Sequence, residues 1–174
     1  MSGPDPTHNV VAMTDLDRSA SAGPTSTHRR LGLPFVAIIG LALLAVPRVI
    51  LHDLDLIHEG TAINALFVFL PPVVWIVVAL AARVPKPFVT ILAIGICYGV
   101  FLALGHQLLW GVSIADDPPR LGGNLAGLDP AAQAIIFRVF AILSSLVTGA
   151  VVGAIAGLVA WGLGALTRRT PRPR

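Results

Sequence analysis

The sequence predicts an all-α membrane protein, a four-helix transmembrane bundle with a disordered N-terminal tail. Three observations carry this reading. Of the 174 residues, 55% are hydrophobic and 12% charged, with a mean hydropathy of +0.82, whereas an ordinary soluble domain carries about 25% charged residues. The apolar residues gather into four long runs. Within each run they are continuous, without the alternation that the strands of a transmembrane barrel need, so helices are the way these segments satisfy their backbone inside lipid.

Residues 1–30 lack hydrophobic periodicity and are rich in Ser, Thr, Pro, Gly and Ala. Such a composition buries no core and is read as a disordered cytoplasmic tail. The stretch HRRLGLPF has the paired arginines of an export signal. Gly32 stands where such a signal needs a hydrophobe, so no cleaved leader is expected.

The four-span domain covers residues 31–166. Span one, LGLPFVAIIGLALLAVP (31–47), reaches crossing length only by continuing to about residue 51, because about 20 apolar residues are needed. Pro47 is expected to bend its outer end. Span two, 61–82, holds Pro71 and Pro72 near its centre. Neither supplies a backbone N–H, so the carbonyls near Phe67 and Val68 lose their helical partners and a fixed bend is expected. Transporter breaks come in matched pairs, and no second central break is present.

Span three, 87–110, carries the lone Cys97 as a small packing residue and ends in GHQLLW. Span four is assigned to 137–166, with its helix starting earlier, at Asp129 as N-cap and Pro130 as first residue. That helix, about 55 Å long at 1.5 Å per residue, exceeds a bilayer, so its first turns stand in or above the outer interface, or the helix tilts. Residues 167–174 form a basic cytoplasmic tail suited to anionic lipid heads.

Basic residues set the orientation. With both ends cytoplasmic, nine of the twelve lie inside (Arg18, Arg29, Arg30, Arg83, Lys86, Arg168, Arg169, Arg172, Arg174) and three outside (Arg48, Arg120, Arg138). This is the positive-inside pattern. The pI near 10 is therefore a topology signal, and no nucleic-acid partner is expected. One lysine against eleven arginines suits a GC-rich bacterial genome and hence a bacterial inner membrane.

Membrane helices meet through small residues. Span four repeats Ala141, Ser145, Gly149, Gly153 and Gly157 at intervals of four, and span three offers Gly95, Gly99 and Ala103. These rows are expected to pack against each other or against copies of themselves.

Folding four antiparallel spans gathers most polar side chains at the outer end: Arg48, His52, Asp53, Asp55, His58 and Glu59 around the first outer loop, Asn64 opening span two, His106 in span three and Arg138 in span four, with Arg48, His52, Asp55, Glu59, Asn64, His106 and Arg138 as the candidate cluster. His106 extends the small-residue face from Ala103 by three positions and is expected to face a neighbouring helix, where its imidazole needs a partner. If HDLDLIHE is helical, His52, Asp55 and Glu59 share one face and, with His106, offer nitrogen and oxygen donors for a metal; no fixed ligand motif accompanies them. Ser144 or Ser145 with His106 as base would make a hydrolase, but no nucleophile elbow is present. The reading preferred from sequence has no catalytic residue, metal or cofactor. It is a non-enzymatic membrane subunit or scaffold in the lipid bilayer, a homo-oligomer or bound to another membrane protein through its small-residue faces. The alternative is a channel or transporter for a small solute or ion, using the polar cluster around His106.

Overall fold

The computed structural model describes residues 31–113 and 119–169; the N-terminal tail with its paired arginines and the last five residues lie outside that range. The chain is all-helical: α1 (Phe35–Leu43), α2 (Val46–Asp53), α3 (Ala62–Ala81), α4 (Pro87–Ser113) and α5 (Pro130–Arg169). A short 3₁₀ turn, Gly123–Leu125, lies between α4 and α5. No strand occurs among the described residues. Four segments are long and apolar enough to cross a membrane: Phe35–Asp53, Ala62–Ala81, Pro87–Val112 and Pro130–Thr167.

The first segment is two helices rather than one bent helix. Pro47 has no N–H to give the Leu43 carbonyl, and its ring crowds that carbonyl, so the helix stops at Leu43 and Pro47 sits in the first turn of α2. At the break, the Ala45 N–H turns to the Ala42 carbonyl at 3.2 Å. The Leu41 carbonyl thereby loses its usual donor, and the Trp75 indole N–H of α3 takes its place at 2.8 Å. Pro71 and Pro72 do not divide α3, which continues as one helix through both.

Two helix starts are capped by side chains. The N–H of Asn64 is capped by the Thr61 hydroxyl, 3.2 Å away, and the N–H of Ala131 by the Asp129 carboxylate at 2.8 Å. Two helix ends close by the same device. After α2 the Asp55 N–H donates to the His52 carbonyl and the Leu56 N–H to the Leu51 carbonyl; after α3 the Arg83 and Val84 N–H groups bond the Leu80 and Ala79 carbonyls. Both are Schellman closures, with Asp55 (φ 56°) and Arg83 (φ 50°) in the left-handed position that glycine favours.

The centre of the fold is the antiparallel pair α4–α5. A Cβ built on Gly95 would overlap the Gly149 carbonyl oxygen and lie 2.5 Å from the Gly153 Cα; one on Gly99 would lie 2.9 Å from the Ser145 carbonyl oxygen. Gly157 meets Phe88 in the same way. The two small-residue rows therefore cover each other within one chain, and backbone rests on backbone because no side chain intervenes. With Phe88 level with Gly157, residues 159–169 of α5 run past the start of α4 by about 16 Å.

The helices α1 and α2 lie along α4, and α3 closes the bundle against α5. Trp75, Ile38, Ile91 and Ile94 fill the core, with Trp75 edge-on to Tyr98 at 6.1 Å between ring centroids. At the end bearing Lys86, the Thr90 hydroxyl donates to the Leu31 carbonyl and ties the entering chain to α4. The outside of the bundle is apolar: Phe35, Val36, Phe69, Phe140 and Leu166 are each more than 60% exposed.

Candidate polar site

The carboxyl of Asp53, the last residue of α2, points inward with 6% of its side chain exposed, and its Oδ2 lies 2.8 Å from Nδ1 of His106. The helix end explains the placement. The Schellman closure turns the chain away at Asp55, leaving Asp53 as the last residue still held on the face that α2 packs against α4. Gly105, beside His106, lets α2 come close: a Cβ there would stand 3.0 Å from Val49 Cγ1. With a neutral imidazole, Nδ1–H donates to the carboxylate; with a protonated one the contact is an ion pair.

The sequence places Asp53 among the outer-end polar residues that could partner His106 but does not single it out from Asp55 and Glu59, and the signal that does so is the helix boundary. Reading HDLDLIHE as continuous helix places Asp55 and Glu59 beside His52. In the structure α2 ends at Asp53, so the shared face does not form. Asp55 is 91% exposed and meets His58 at 3.3 Å, while Glu59, 81% exposed, lies 3.8 Å from His52. Exposed pairs of this kind contribute little. Among the described residues no group of three or more His, Cys, Asp or Glu side chains is placed to hold a metal ion.

Arg48 and Asn64 do meet: Arg48 Nε donates to Asn64 Oδ1 at 3.1 Å. Arg138 belongs to a different contact, its guanidinium lying 5.1 Å over the Trp110 ring, while its backbone carbonyl accepts from Gln107 Nε2 at 3.4 Å. Gln107 therefore joins α4 to α5 and does not share the site of its neighbour His106. The Ser144 and Ser145 hydroxyls both donate to the Ala141 carbonyl, at 3.2 and 2.6 Å. This back-bonding is the ordinary fate of serine inside a helix, and it does not prepare a nucleophile.

A chamber of about 130 Å³ lies between the helices, lined by Arg48 of α2, Phe67, Val68, Pro72 and Trp75 of α3, Tyr98 of α4 and Thr148 of α5, among others. It reaches the surface at Thr148, an exposed residue. Comparison of the chain with protein-family models, curated proteins and solved structures gives no match.

Proposed function

We propose that the chain is a non-enzymatic, multi-pass protein of the cell membrane, with both termini cytoplasmic, that handles a small solute or ion through a polar site in its outer half. The observation that carries the reading is the Asp53–His106 pair, a carboxyl with 6% exposure held at 2.8 Å from an imidazole within segments apolar enough to cross a membrane. Ionisable groups at membrane depth are costly and belong by default to function. A well-packed apolar pair of similar volume would stabilise a bundle at least as well, so stability alone is a poor reason for the pair. Chemically, Nδ1 of His106 is engaged and Nε2 remains to give or take a proton, so a proton exchanged there changes the local charge by one.

The membrane reading also accounts for the outside of the bundle, where Val36 (81% exposed), Phe69 (68%) and Phe140 (67%) would make too large an apolar surface for a water-soluble domain. In reconstituted vesicles, proton or cation entry followed with an internal dye should depend on the protein and be lost in His106→Ala. Identical entry in the variant would remove the reading.

One observation favours the subunit reading as well. The overhang of α5 exposes Trp161 (58%) and Leu166 (64%) beyond the end of α4. A copy of this chain or another membrane protein seated there would appear as a defined higher mass in native mass spectrometry, and Trp161→Ala would return it to the monomer.

A further inference from the structure

We infer that the chamber beside Arg48 binds a small oxyanion, a carboxylate or inorganic anion bearing one negative charge, with Arg48 and Tyr98 as its principal ligands. This assignment rests on the solute-handling reading above and names its substrate class. Charge balance leads to it. Arg48 is the third residue of α2, just past the helix break of its span, and lies within a segment apolar enough to cross a membrane, where a cation needs a partner. Every ion pair of the Asp53–His106 region uses a histidine, and among the described residues no carboxylate lies within ion-pair distance of Arg48. Its hydrogen-bond partner is the neutral Asn64 oxygen, and Tyr98 lines the same chamber beside it. The guanidinium has five N–H donors, so the Asn64 bond leaves most of the donor capacity of this chamber-lining side chain unused.

The walls fit that occupant. Across the chamber, the hydroxyls of Tyr98 and Thr148 stand among the lining residues and can donate. Trp75 and Val152 make the remaining wall apolar, and a charge-assisted hydrogen bond is stronger beside such a low-dielectric wall. The free volume of about 130 Å³ equals roughly four waters at ~30 Å³ each, which suits an anion of a few heavy atoms.

The test is acetate binding to the full chain in nanodiscs of zwitterionic phosphatidylcholine, read as a saturable rise in unfolding temperature, alongside nanodiscs of anionic phosphatidylglycerol with and without added acetate. Wild type should show the rise. Arg48→Gln should abolish it, and Tyr98→Phe should weaken acetate by about tenfold, the equivalent of one hydrogen bond. Because Arg48→Gln can disturb folding, Tyr98→Phe and Arg138→Gln are decisive companions, the latter expected to bind as wild type. If phosphatidylglycerol alone produces the stabilised state and blocks acetate in an Arg48-dependent way, the anion is a lipid headgroup at the same site. No saturable rise in either bilayer, or an equal rise in Arg48→Gln, overturns the inference. Vesicle entry dependent on His106 without acetate binding would leave the solute-handling reading standing and remove only the anion. Acetate binding without any entry would do the reverse.

Discussion

The indole N–H of Trp75 donates to the carbonyl oxygen of Leu41 at 2.8 Å, so the helix break that Pro47 imposes on the first span is sealed by a side chain from another span. Trp75 is fully buried and stacks edge-on to Tyr98, and it also lines the Arg48 chamber. Trp75→Phe keeps an aromatic ring and removes the donor, leaving the Leu41 carbonyl unpaired in apolar surroundings. The expected loss is about 1–3 kcal/mol, measured as the shift of the unfolding midpoint in mixed micelles. Trp75→Ala should cost more, about 3–5 kcal/mol.

Gly95→Ala and Gly40→Ala should move stability in opposite directions. An added methyl at Gly95 meets the backbone of Gly149 and Gly153, which cannot give way like a flexible side chain, so α4 and α5 must separate. The expected loss is at least the 1–3 kcal/mol typical of overpacking. At Gly40 nothing lies within 4 Å, and alanine gains about 0.5–1 kcal/mol in a helix interior. Thermal unfolding of the two variants side by side reads the difference.

Asp55→Gly should stabilise the chain. Asp55 holds φ at 56°, a conformation that costs a residue with a Cβ roughly 1 kcal/mol and glycine little. Its side-chain contact is with His58 at an exposed position, so little is lost. A higher unfolding midpoint is expected, and Asp55→Val should lower it.

Asp53→Asn and Glu59→Gln separate the buried pair from the exposed one. Truncating the charge opposite His106 removes a charge-assisted hydrogen bond, with an expected cost of about 1.5–3 kcal/mol. Glu59→Gln touches a contact of 3.8 Å at an 81% exposed side chain and should leave the midpoint unchanged. Equal effects in urea or thermal unfolding would contradict the distinction.

Helix content, the four apolar segments, the Asp129–Pro130 start of α5 and the spacing of the small residues are readable in the sequence because each follows from local chemistry or periodicity. The site is less readable. Asp53 differs from Asp55 only by which of them is the last helical residue, and the Schellman turn that decides this uses Asp55 where a reader looks for glycine. The place of Arg48 is likewise hidden: its chamber is lined by Ala45 at the break of one span, Pro72 of a second and Tyr98 of a third, and no periodicity within one segment reports that they come level. Arg138 lies near the other polar residues in any four-span drawing, yet Trp110 takes its guanidinium.

The most direct test of the account is the labelling of a cysteine placed at the site. In a background with Cys97→Ala, His106→Cys is treated with a membrane-impermeant maleimide in intact spheroplasts and, separately, in inverted vesicles. The account predicts labelling in spheroplasts and protection in inverted vesicles, because the proposed topology, with both ends cytoplasmic, puts the polar site on the outer side. Labelling from the cytoplasmic side alone, or from neither side, would contradict it.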